Sequence, residues 1–215
     1  MNGIEMPNIE FKNNIEKRIV NVRNSEDSIC FYKDIEYFDE SRPYERFIKA
    51  TESLIRKSKD YKVFEGWVFN VLGIQYSQVH PNITAEMATI EMHHGPLFTL
   101  YDYVSVVLNH YLRTGRKITT FRVADTVLQE HFDLCVQVVM LDATSHEAVH
   151  NRDLFLNIKA GIGNINLFIK KYIDAFNPDQ KYRIYNYINF CKSNPSFDTG
   201  VLDIDDIAPL IQDSL

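Results

Sequence analysis

Two short histidine clusters set the strongest constraint on how this chain can fold. His93 and His94 stand together in IEMHHGPLF, and His146 and His150 share the stretch LDATSHEAVHN. A neutral imidazole is costly to bury unless its ring nitrogens find partners, so four of them in two groups point to a bound group rather than to core filler. The fold must therefore bring two distant segments together. The expectation is one divalent metal ion held by three of these histidines, with the fourth free to act as a base.

The 215 residues are 45% hydrophobic and 24% charged, an ordinary globular composition that supports one main domain. No apolar run approaches the roughly 18 residues of a membrane helix, and the opening MNGIEMPNIEFKNN has no apolar centre of a secretory signal. No membrane partner and a cytoplasmic location are expected. Cys30, Cys135 and Cys191 are few, odd in number and far apart, which argues against a disulfide framework or a thiolate zinc site and for small apolar residues. The formal net charge of −6 is unevenly placed: residues 196–215 hold five aspartates and no Lys or Arg, leaving 23 positive against 24 negative groups elsewhere. Such a nearly neutral body is compatible with nucleic acid contact through local basic patches.

Along the chain, residues 1–40 read as an arm with at best a short helix around 9–20. From Ser41, a plausible N-cap, Phe47, Ile48, Thr51, Leu54 and Ile55 recur at helical spacing and predict a helix over 42–58, with Arg46, Lys49, Arg56 and Lys57 on its solvated face. A second helix is expected over 61–72, ending near Gly73, with Phe64 and Trp67 in the core. Residues 84–94 alternate loosely and read as a strand delivering His93 and His94 to its end, where Gly95-Pro96 breaks it. A helical hairpin follows, from Phe98 to Leu112 and from a Thr119 or Thr120 cap to Phe132. CVQVVMLD reads as a second strand, feeding a helix from Thr144 or Ser145 that carries His146 and His150 one turn apart on one face. Helices over 164–176 and 178–192 close the body, the last with Asn177 as N-cap, Pro178 at the first position and Gln180 completing a capping box. The acidic segment 196–215 follows as a tail.

A strand ending in His-His, then a second strand and a helix with H-x-x-x-H, resembles the ββα-metal motif of the HNH (His-Me finger) nucleases. The local likeness is to the colicin type, with Glu91-Met92-His93-His94 on the first strand and His146 through His150 on the helix. The surrounding sequence also looks like that of HNH-like proteins of large tailed bacteriophages. The resemblance implies that His93, His146 and His150 ligate one divalent ion (Mg²⁺, Mn²⁺, Zn²⁺ or Ni²⁺), that His94 is the general base, and that the protein is a DNA endonuclease of the host cytoplasm. The family's middle Asn or His, which orients the base, falls at Gln137, with His131 the other candidate. Arg113, Arg116 and Lys117 at the hairpin tip are the candidate DNA contacts.

The expected fold is thus α+β: a two-stranded ββα-metal unit inside a mostly helical domain over 41–195, with residues 97–132 as an inserted hairpin. Two other functions compete. His146-Glu147-Ala148-Val149-His150 matches the H-E-x-x-H of zinc metalloproteases, with Glu147 as base and Asp153 or Asp174 as third ligand. Alternatively, the chain is a structural or DNA-associated phage protein keeping a degenerate site.

Overall fold

The computed structural model describes residues 32–194; the arm helix expected around 9–20, Cys30 and the acidic segment 196–215 lie outside the described residues. Within them the chain is α+β and mostly helical. A 3₁₀ turn (Ile35–Phe38) precedes α1 (Ser41–Lys57) and α2 (Lys59–Gly66), which runs on as a π-helical turn (Trp67–Val71). Then come β1 (Ile90–His94), α3 (Leu100–Arg113), α4 (Thr120–Phe132), β2 (Val138–Asp142), α5 (Ala143–His150), α6 (Ile165–Tyr172) and α7 (Pro178–Ser193).

The apolar spacing read from the sequence explains the helices. Phe47, Ile48, Thr51 and Ile55 are the buried face of α1, while Arg46, Lys49, Arg56 and Lys57 are exposed. Phe64 and Trp67 are buried as expected, and Gly73 takes the positive φ of +69° that ends the helical run. The expected cap at Ser41 is not formed: Ser41 is already helical, and Glu40 precedes it without a side-chain cap bond. At α7 the capping box is complete, Gln180 N donating to Asn177 Oδ1 (2.9 Å) and Asn177 N to Gln180 Oε1 (3.0 Å).

The hairpin expected as an insertion forms the middle of the core. Residues Val104, Val106, Val107 and Leu108 of α3 are fully buried, so this helix is covered on several sides rather than along one stripe. Its start is tied to α7: Arg183 forms an ion pair with Asp102, and Gln180 Nε2 donates to Ser105 Oγ (2.8 Å). Burial pushes the Asp102 carboxyl up, but Arg183 and Thr99 outweigh it and hold the group below its ordinary value.

The sheet has two strands. β1 and β2 pair antiparallel with Ile90 opposite Asp142, Met92 opposite Met140 and His94 opposite Val138. The expected strand from residue 84 is shorter in fact, because the backbone N–H groups of Ala85, Met87 and Ala88 are spent on Gln75 and Thr84 carbonyls rather than on a neighbouring strand. The far edge of β2 is closed by Gln78, whose N donates to Met140 O (2.8 Å) and whose Oε1 accepts from Met140 N (2.7 Å), and by a bridge to Ile162. The two faces differ. Met92, Val138 and Met140 join the main helical core, whereas Val139 and Leu141 form a small second cluster with Leu156, against which Val149 of α5 packs.

Candidate metal centre

Alternation along β1 sends Glu91 and His93 to the face that carries α5. Helix α5 leaves β2 without a loop, because Asp142 ends the strand and caps the helix: Asp142 Oδ1 accepts from Ser145 N (3.0 Å) and Oδ2 from Ser145 Oγ (2.6 Å) and Ser77 Oγ (2.7 Å). Burial would raise this carboxyl, but the Ser145 and Ser77 bonds prevail and bring it down to about 2. His146 and His150, four residues apart, then look back at the strand.

Three imidazoles converge. Ring centroids lie 4.9 Å apart for His93 and His146, 5.1 Å for His93 and His150, and 4.7 Å for His146 and His150. One nitrogen from each falls within 4.8 Å of the others. Tetrahedral ligation at bonds of about 2.0–2.1 Å needs nitrogens roughly 3.3 Å apart, a spacing that small side-chain movements supply. His93 is 6% exposed, His146 is half-buried and His150 is exposed, so one side of the cluster is open to solvent.

The donor chemistry fits a cation. Glu91 Oε2 lies 2.5 Å from His146 Nδ1, which assigns the ring proton to that nitrogen and leaves the Nε2 lone pair free. That lone pair faces His150 Nε2 at 3.0 Å. Two lone pairs so placed repel unless a proton or a metal ion lies between them. Burial, reinforced by His146 and His150, lowers His93 to about 4, so it is a neutral ligand throughout the physiological range. Glu91 is the residue that sequence reasoning left without a role, although its i, i+2 spacing from His93 already put both on one strand face.

His94 does not sit where a base should. The ladder continues through His94 opposite Val138, so no bulge excuses it from alternation, and its ring points away from His93 into the helical core. It is 4% exposed, stacks on Tyr61 and lies 2.9 Å from His131, Nε2 to Nε2. His131 Nδ1 donates to the Val127 carbonyl (2.7 Å), so the shared proton belongs to His94, which donates to His131. Burial pushes His94 well below its ordinary value and His131 to about 4. Of the two candidate orienting residues, His131 touches His94 and Gln137 does not. Fully buried Gln137 donates through Nε2 to Ile158 O (2.7 Å), and only its backbone carbonyl reaches the site strand, accepting from Gly95 N.

The remaining expectations divide. Neither Asp153 nor Asp174 joins the histidine cluster, whose third member is His93, and Glu147 is exposed. Arg113 ends α3, a helix of 14 residues, and Arg116 and Lys117 follow it in the turn before α4. Cys135 and Cys191 are buried free thiols, as expected, and His110 is half-buried edge-on to Tyr172 (5.2 Å). No helix among the described residues is long and apolar enough to cross a membrane.

A family model described as Bacteriophage G278-like virion protein matches residues 2–207. The chain belongs to this family. Its phage origin follows from that membership, and the description names a component of the virion without naming an activity. No curated protein and no solved structure matches the chain.

Because the strand-to-helix junction aims both α5 histidines, Asp142→Ala is expected to act twice. It should cost about 1–2 kcal/mol in urea unfolding through the lost cap, and it should also weaken metal binding, read by calorimetric titration. The sign with pH follows from the lowered carboxyl: the stabilisation is full above about pH 4 and is lost as pH falls towards 2. Asp142→Asn should flatten that acid limb. An unchanged limb would deny the carboxylate this role.

Proposed function

We propose that this virion protein holds one divalent transition-metal ion on His93, His146 and His150, and that the ββα unit so formed is an HNH-type module hydrolysing nucleic acid phosphodiester bonds. The observation that carries the reading is the convergence of three imidazoles from a strand and the following helix, within 4.8 Å and open on one side. A bound ion would supply Lewis-acid stabilisation of the charge that develops on a scissile phosphate. Three imidazole nitrogens favour Zn²⁺ or Ni²⁺ over Mn²⁺ or Mg²⁺.

The chain's own residues divide the remaining work. Glu91 holds the Nδ1 proton of His146 and turns Nε2 towards the cluster. With His94 closed into the core, the proton acceptor we assign is also Glu91: its side chain is 46% exposed at the rim, and one carboxylate oxygen remains for an entering water. His94 and His131 anchor the reverse face of the strand. A second reading, a module that keeps its metal and has lost hydrolysis, is favoured by that burial of His94.

Plasmid nicking with added Mn²⁺, Zn²⁺ or Ni²⁺, run beside metal analysis, separates these readings. The hydrolytic reading expects metal-dependent nicking that Glu91→Gln lowers by at least about 100-fold with metal still bound. It expects Glu147→Gln to leave nicking intact, which an H-E-x-x-H protease would not share. Stoichiometric metal without nicking overturns hydrolysis and establishes the second reading; no bound metal overturns both.

A further inference from the structure

Rings from α7 and from the loop after α5 gather on one surface. Phe155, five residues beyond His150, stacks on Tyr187 with centroids 5.4 Å apart and planes 16° from parallel, and its centroid lies 4.6 Å from that of Phe190. Tyr187 is 6% exposed, but Phe155 and Phe190 keep 47% and 38% of their surface in solvent. Tyr182, 58% exposed, stands eight residues before Phe190 and so about two turns, or roughly 12 Å, back along the same side of α7. Asn186 between them is exposed as well. Large rings gathered on one face at this exposure mark a surface that another segment covers.

We propose that residues 201–211 of the same chain dock on this aromatic face as a strap. The described chain stops at Asn194, one turn beyond Phe190, so the following segment starts beside the rings. The link from Pro195 to Gly200 reads PSFDTG, a composition that stops helices and reverses chains, and six residues reach at most about 20 Å. That exceeds the distance from Phe190 back to Tyr182. Beyond the link, Val201, Leu202, Ile204, Ile207, Leu210 and Ile211 are interleaved with Asp203, Asp205 and Asp206. Six large aliphatic residues among eleven are far more than a segment solvated on all sides carries. Laid on the rings, these side chains leave water while the carboxylates stay at the solvent rim. A tether this short gives an effective concentration in the millimolar range, so the chain's own segment takes the face ahead of a second copy or another virion component. The strap needs neither the metal ion nor hydrolysis.

Cleavage of the full chain by a protease that cuts before aspartate tests the strap, with a synthetic peptide of residues 196–215 as the unprotected reference. The bonds before Asp203, Asp205 and Asp206 are expected to be cut at least about tenfold more slowly in the protein than in the peptide, because docking must open before they are reached. Phe155→Ser/Phe190→Ser should remove the protection with unchanged circular dichroism. Ile204→Ser/Ile207→Ser should remove it from the other side of the contact, without touching the folded body. His146→Ala should stay protected. The proposal is overturned if the protein is cut as fast as the peptide, or if protection survives in both double variants. Loss of protection in His146→Ala alone also overturns it, placing the aspartates at the histidine cluster. So does protection that fades on dilution, which would make the occupant the segment of a second copy.

Discussion

Free Zn²⁺ at about 100 times its dissociation constant is expected to raise the thermal midpoint of the wild-type protein by about 5–10 °C, and His146→Ala to abolish the rise. The size follows from linkage: at 100 times the dissociation constant, a ligand that binds only the folded state adds about 2.7 kcal/mol, and a domain of this size gains about 2–4 °C per kcal/mol. His93→Ala should behave as His146→Ala does, each losing at least about 100-fold in affinity because two imidazoles replace three. Glu91→Ala should lose about 10–100-fold, since His146 would then be free to turn or to move its proton. Calorimetric titration gives the affinities and scanning calorimetry the midpoints. A His146→Ala protein that still shows the full rise would place any bound ion elsewhere.

The second large effect concerns Gly163. Its φ of +107° is one that side chains rarely adopt, and a Cβ there would stand 2.2 Å from the Val136 carbonyl oxygen, a backbone atom with no room to retreat. Gly163→Ala is expected to destabilise by at least about 3 kcal/mol in urea unfolding. Gly115 supplies the control: its φ is +63° but nothing lies within 4 Å of its added Cβ, so Gly115→Ala should cost about 1 kcal/mol from backbone strain alone. Equal costs at the two positions would mean that close approach contributes nothing at Gly163.

How much of this was legible in the sequence depends on which signals are local. The apolar spacing of Phe47, Ile48, Thr51 and Ile55, the Asn177–Gln180 box and the valine-rich run before Asp142 each specify an element from their own residues, and the helices and β2 follow them closely. The start of β1 did not, because a weak alternation over 84–89 cannot reveal that its N–H groups are claimed by Gln75 and Thr84. The same holds within the site. His93, His146 and His150 come together because strand alternation and one helical turn decide their faces, and both periods can be counted. His94 went astray for the same reason: the period of two that aims His93 outward must aim its neighbour inward, and only a bulge, absent from this ladder, would have spared it. Gln137 had the right offset from the helix but the wrong surroundings, since Gly161 and Ile158 hold its amide in the core. Partnerships across long stretches, such as Asp102 with Arg183, left no sequence trace.

The paired strands also fix what an ion could do to the chain. More than fifty residues separate His93 from His146, and in an unfolded chain, gathering them around a metal would require closing that whole loop. Here the hydrogen-bonded ladder and the buried α3–α4 pair have closed it already. Folding thereby does not depend on the ion, which would add stability to a chain already folded: chelation should strip the ion and that increment and leave the polypeptide standing, unlike a zinc finger, whose small core cannot persist alone. A particle assembled without metal could load its centres afterwards, with no chain needing to unfold and refold to admit them.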